Sequence, residues 1–126
     1  MSARHSRLSA ADVCALLQGA RCDLSSEAAC QRDIEGLLAS ALPPERWARE
    51  HRLGPADRPD FLVDGVVIEV KARGARAADA LRQIGRYAAY PEVEAVIVAY
   101  GGRALGLPAQ IGGKPVFTVG LGRAWL

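Results

Sequence analysis

The stretch RPDFLVDGVVIEVKARG, Arg58 to Gly74, sets Asp60, Glu69 and Lys71 among the apolar runs Phe61-Leu62-Val63 and Val66-Val67-Ile68. Two carboxylates and an ammonium among β-branched residues are an expensive placement unless they do chemistry. Asp64-Gly65, between the runs, is a two-residue hairpin signal. With that turn, Val63 pairs with Val66, Leu62 with Val67, Phe61 with Ile68, and Asp60 with Glu69. Cross-strand partners share a face with Cβ atoms about 5 Å apart. Glu69 and Lys71, two apart on one strand, share that face as well. The three charges are therefore expected to converge on one spot.

Like charges directly opposed destabilise a sheet unless a cation sits between them. Lys71 supplies part of that compensation, and a divalent metal supplies more, because paired hard oxygen ligands suit Mg²⁺. The competing explanation is a solvated surface pair relieved by Lys71 alone; the apolar setting of both strands counts against it. A third carboxylate comes from the helical segment upstream. With Ile34 at the centre of its apolar stripe, Glu27 lies about 20° away at 100° per residue, facing the sheet. Glu35 lies about 100° off, at the boundary, and is the weaker candidate. Glu27 also suits the first turn of a helix dipole, and the two roles are compatible.

Several elements must position these groups. LSAADVCALLQGA reads as a helix capped by Ser9 and ending at Gly19. DLSSEAACQRDIEGLLASAL reads as a second, capped by Ser25 or Ser26 and stopped at Pro43-Pro44, with the stripe Cys30, Ile34, Leu37, Leu38, Ala41. RWAREHRL alternates loosely, as an edge strand does, and leads into the hairpin. From about Ala75 to Tyr90 the helix period returns, with Ala77, Leu81, Ile84 and Ala88 on one face and Pro91 closing it. AVIVAY, Ala95 to Tyr100, is a strand covered on both faces, and PVFTVGL is a last strand after the loop from Gly101 to Pro115. The order is helix, helix, three strands, helix, two strands: an α/β domain whose central sheet is partly antiparallel and partly built by a crossover.

The 126 residues fit one domain, 1–126, with half the residues hydrophobic and a quarter charged, as in soluble globular proteins. Apolar runs fall far short of the about 18 residues of a membrane helix. The N-terminus MSARHSRLSAAD has no apolar signal region, so a cytoplasmic protein without a membrane partner is expected. The net charge of +2 does not by itself point to nucleic acid, but the distribution is suggestive. Arg46, Arg49, Arg52 and Arg58 precede the carboxylates, and Lys71, Arg73, Arg76, Arg82 and Arg86 follow them. Such a zone could hold a phosphate backbone, or be the ordinary surface of an Ala/Gly/Arg-rich chain. Cys14, Cys22 and Cys30 form no C-x-x-C pair, and His5 and His51 lie far from them. Buried reduced thiols are expected, rather than a zinc site or a catalytic cysteine.

Pro59-Asp60, followed across a hairpin by Glu69-Val70-Lys71, resembles the PD-(D/E)XK nuclease superfamily. With the acidic helix upstream and a helix downstream, the resemblance covers roughly Ser26 to Tyr100. QIGRY, Gln83 to Tyr87, resembles the Q-x-x-x-Y motif of the RecB-like exonuclease branch. The resemblance implies a restriction-endonuclease-like αβββαβ core, a mixed central sheet flanked by helices. It implies hydrolysis of DNA phosphodiesters with Mg²⁺ or Mn²⁺ held by Asp60, Glu69 and the backbone carbonyl of Val70, and by Glu27 directly or through water. Lys71 would then orient or help deprotonate the attacking water and stabilise the transition state. Gln83 and Tyr87 would position the strand or the reactive phosphate, and Arg73, Arg76 and Arg86 are phosphate-contact candidates by proximity. Small cores of this family often dimerise, so a homodimer is expected. The cysteine set of the iron–sulfur members is missing. Exonuclease or end-processing activity and structure-specific endonuclease activity both remain open. So do a nuclease-fold module that only binds DNA or a partner protein, and an ordinary α/β interaction protein.

Overall fold

The computed structural model describes residues 7–123. Its elements, in chain order, are α1 (Ala10–Gln18), β1 (Arg21–Cys22), α2 (Glu27–Ala41), β2 (Trp47–Arg49), β3 (Phe61–Val63), β4 (Val66–Lys71), α3 (Ala77–Ala88), β5 (Ala95–Tyr100), β6 (Gln110–Ile111), β7 (Lys114–Gly120) and β8 (Gly122–Arg123). A mixed six-stranded sheet of order β2-β3-β4-β5-β7-β6 is flanked by the three helices, and β1 pairs in parallel with β8 outside it. His5, set aside above as a ligand, lies outside the described residues.

The helix boundaries follow the caps. The Ser9 hydroxyl accepts from the Asp12 amide while the Asp12 carboxylate accepts from the Ser9 amide, closing a capping box on α1. Ser26, rather than Ser25, caps α2 by accepting from the Ala29 amide. In the hairpin, Asp64 at φ 50° and Gly65 at φ 92° make the tight turn that fixes Phe61–Ile68, Leu62–Val67 and Val63–Val66 as partners. The Asp64 carboxylate also accepts from the Leu8 amide at 2.9 Å and pairs with Arg46, tying the turn to the N-terminal segment and to the chain just before β2. Beyond the hairpin the chain crosses over through α3, and β5 lies parallel to β4 along its whole length.

Alternation on the strands divides the core in two. Val13, Leu17, Ile34, Leu38, Phe61, Ile68 and Ile97 pack between the sheet and α1 with α2. Val67, Ile84, Tyr87, Val96 and Val98 pack on the α3 side. Each fully buried side chain of this size contributes about 1.5–3 kcal/mol relative to exposure.

Three expectations need correction. The buried face of α3 is Ala80, Ile84, Tyr87 and Ala88, while Ala77 and Leu81 are exposed. The helix is rotated because the Tyr87 ring, not Leu81, fills the space above the sheet. On α2, Leu37 is half-buried and Ala41 exposed, so the stripe narrows to Ala29, Cys30, Ile34 and Leu38. The Gly101–Pro115 loop contains β6, which folds back on β7 through Gly112 and Gly113, both at positive φ.

Candidate active site

On β4, Val66, Ile68 and Val70 join the α1/α2 core and Val67 joins the α3 core, so Glu69 and Lys71 continue the α3 face. Glu69 is 4% exposed, at a position an apolar residue would ordinarily take. Asp60 does not pair with it in the ladder, because β3 begins only at Phe61 and Asp60 sits on the bend behind Pro59. The two residues instead bond crosswise. The Asp60 amide donates to Glu69 Oε1 at 3.1 Å, and the Val70 amide donates to Asp60 Oδ2 at 2.7 Å. Lys71 Nζ lies 3.7 Å from Glu69 Oε2 and donates to Gln83 Oε1 at 2.5 Å. From the opposite side of the sheet, Glu27 Oε2 accepts from the Ala72 amide at 3.1 Å, just past the end of β4.

Negative charge here exceeds what surrounds it. Burial pushes the Glu69 carboxyl up to about 8, and the Asp60 charge pushes the same way; the Asp60 amide and Lys71 oppose them. Burial likewise raises Asp60 to about 6, against the Val70 amide and Lys71, with Glu27 and Glu50 adding to the rise. A carboxylate pair that keeps a proton near neutral pH has room for more positive charge than one lysine brings.

The donor chemistry is that of hard oxygens, which fits Mg²⁺ or Mn²⁺ rather than a soft metal. Among the described residues, no three His, Cys, Asp or Glu side chains are gathered into a ready-made metal cage. Glu27 is engaged with the backbone of Ala72. Cys14, Cys22 and Cys30 are free and buried, as expected.

Other expected residues are placed differently. Glu35, the alternative to Glu27, points to Arg49 at 2.6 Å and belongs to the outer edge of α2. Gln83 meets Lys71 directly. Tyr87 is 2% exposed, and its hydroxyl donates to the Arg58 carbonyl at 3.5 Å, supporting the segment that leads into Asp60. Burial raises its pKa, and the charges of Glu69 and Asp60 add to that rise. A ring so enclosed presents no face to a DNA strand, so its role is that of a prop. Arg86 is held by Asp57 at 2.9 Å, which leaves it less free for a phosphate. Arg76 sits exposed at the N-cap of α3, and the exposed Arg73 lays its stem over Gly102.

Sequence reasoning missed Asp57 and Tyr90. Asp57 is buried and accepts from Arg86 Nε at 2.9 Å and from the Tyr90 hydroxyl at 2.7 Å. These bonds pin the loop before Asp60 to α3. Nothing local to Asp57 reveals partners 29 and 33 positions away.

No family model matches the chain, and no curated protein or solved structure matches it.

Proposed function

We propose that this chain is a metal-dependent deoxyribonuclease with a restriction-endonuclease-like core. One observation carries the reading: Asp60, Glu69 and Lys71 meet at the end of β4, with Glu69 almost wholly buried and Gln83 reaching Lys71 from α3. The order α2, β2, β3, β4, α3, β5 supports it, since it is the αβββαβ succession that the resemblance implies.

Asp60 and Glu69 would hold Mg²⁺ or Mn²⁺ together with the Val70 carbonyl, and Glu27 would contribute through water. The bound metal supplies an acidified water and neutralises charge on the phosphate oxygens. Lys71, fixed by its bond to Gln83, orients the attacking water and faces the charge that grows on the scissile phosphate. Tyr87 holds the Arg58 carbonyl and so keeps the turn carrying Asp60 in place. Arg73 and Arg76, exposed just beyond β4, would meet phosphates flanking the cut.

A second reading is a nuclease-fold module that binds DNA without cutting it. One observation favours it: oxygens of Asp60, Glu69 and Glu27 are already engaged by backbone amides, with no cage formed.

Purified protein incubated with circular single-stranded, linear duplex and four-way-junction DNA, each with Mg²⁺, Mn²⁺ or EDTA, separates the two. Metal-dependent cleavage that falls about 100-fold or more in Lys71→Ala is the expected result. DNA bound equally well in EDTA and never cut would favour the binding module.

A further inference from the structure

Parallel strands deliver their exits to the same edge of a sheet. β4 ends at Lys71 and β5 at Tyr100, and the Gly101 amide donates to the Lys71 carbonyl at 3.1 Å, so the two exits start side by side. Between them lies a hollow of about 590 Å³, walled by Ala72, Arg73 and Gly74 on one side and Tyr100, Gly102 and Arg103 on the other. It begins one residue past Lys71, at the same Ala72 whose amide holds Glu27. A smaller hollow of about 370 Å³ shares Arg73, Gly101 and Gly102 and extends past the carboxylate of Asp23 to Ser25, at the approach to α2. The two meet at Arg73, Gly101 and Gly102 and make one trough beside the end of β4.

The character of the larger hollow is uneven in an informative way. Its charged side chains are Arg73 and Arg103, and no acidic residue lines it among the described residues. Both arginines are exposed, and neither guanidinium is held by a described partner, unlike Arg49 and Arg86. Gly74 and Gly102, at φ +87° and +89°, turn both walls in a conformation that side chains resist; Gly74 is left as bare backbone, while the Arg73 stem lies over Gly102. Tyr100 and Leu105 add partly buried apolar surface. Two exposed cations, one wall open to close approach at Gly74 and an aromatic are the parts of a site that tracks a sugar–phosphate backbone and lets bases stack. The volume is that of a small-ligand pocket, whereas duplex recognition spreads over about 1,000 Å² or more.

We infer that the trough between the β4 and β5 exits binds one unpaired DNA strand, without sequence preference, and feeds it past Asp60 and Glu69. Arg73 and Arg103 contact backbone phosphates next to the one that is cut. The substrates are thus single-stranded DNA and the unpaired ends and flaps of duplexes. This assignment rests on the nuclease reading for its catalytic half and on the trough alone for its binding half.

The test measures fluorescence anisotropy of labelled DNA of about 20 nucleotides, single-stranded or duplex of the same sequence, in EDTA at low salt. Arg103→Glu is the cleaner variant, since the Arg73 stem rests on Gly102; melting temperatures verify that Arg103→Glu and Arg73→Ala are folded. Wild type is expected to bind the single strand about tenfold tighter than duplex, and Arg103→Glu to lose about tenfold of that affinity. Arg73→Ala is expected to lower the salt slope by about one. Equal single-strand affinity in wild type and Arg103→Glu, or a wild-type preference for duplex, overturns the inference. Failure of the nuclease reading looks different. If Arg103→Glu loses strand binding but no form of the protein cleaves, the trough stands and catalysis falls. If Lys71→Ala abolishes cleavage while Arg103→Glu binds normally, catalysis stands and the trough falls.

Discussion

Glu69 and Asp57 both have little exposed surface, 4% and 8%, and α3 reaches Asp57 through Arg86 and the lysine beside Glu69 through Gln83. At Asp57, Arg86 of α3 offers a guanidinium at 2.9 Å and Tyr90, just past the helix, a phenol at 2.7 Å, and the two bonds hold the carboxyl below its ordinary range. At Glu69 the nearest cation is 3.7 Å away and bonded to Gln83, while Asp60 brings a second negative charge. There burial first, and the Asp60 charge after it, push the carboxyl up to about 8. One carboxylate has what a structural ion pair needs. The other is left short of positive charge in the place where a metal would supply it, and perturbation of that kind marks functional sites more often than packing sites.

The contrast is most sharply tested by cleavage. Glu69→Gln keeps an oxygen for the Asp60 amide but removes the charge, and it is expected to lower metal-dependent cleavage about 100-fold or more in a gel assay. Asp57→Asn is expected to retain most of it. Comparable losses in both would erase the distinction between the two sites.

Thermal stability in EDTA at pH 8 should move in opposite directions. Glu69→Gln relieves an uncompensated buried charge and is expected to raise Tm by about 4 °C, whereas Asp57→Asn weakens the Arg86 pair and is expected to lower it by a similar amount. Added Mg²⁺ should raise the wild-type Tm and leave Glu69→Gln nearly unmoved.

The pH dependence follows from the same shifts. Glu69 has its folded pKa, about 8, above its ordinary 4.5, so the folded state holds this proton more tightly. Its contribution is favourable in full below about 4.5 and is lost as pH rises through about 8. Asp60 acts the same way between 3.8 and about 6. Asp57, lowered, stabilises above its ordinary 3.8 and loses that contribution as pH falls through its folded pKa. Denaturant unfolding of the metal-free protein should therefore show stability declining from pH 5 to 8, a decline flattened in Glu69→Gln. A wild-type stability that rises across that window would contradict the assignment.

The smallest effect belongs to Arg82. It pairs with Asp79 on the open face of α3, with both side chains largely exposed, and Arg82→Ala is expected to change stability by less than about 0.5 kcal/mol. A larger change would mean that charge on α3 matters generally, not only where it meets a buried carboxylate.

Much of this was legible in the residues. The Asp64-Gly65 turn fixes the hairpin register, because only φ > 0 residues fit it, and three of the four expected pairs follow, Asp60 falling outside the ladder. Ser9, and the Ser25/Ser26 pair within one position, marked helix starts because a hydroxyl satisfies amides that the helix leaves open. The angular position of Glu27 put it towards the sheet, where it now holds Ala72. Other features were not legible. The 3.6-residue period admits neighbouring faces of α3, and whether Leu81 or Tyr87 turns inward depends on the space above Val67 and Val96. The β1–β8 pair joins segments about a hundred residues apart, each too short to carry a strand pattern.

The residues alone place Glu69 and Lys71 on one face of β4 and bring Asp60 close to them, since a tight turn and a two-residue period fix the hairpin up to Phe61. Only the tertiary structure decided who attends them: Gln83 at the lysine, Tyr87 behind the Arg58 carbonyl, Arg86 drawn off to Asp57. Those choices depend on how α3 docks across β4 and β5. Docking is set by the sum of many apolar contacts between distant segments, which no local pattern encodes.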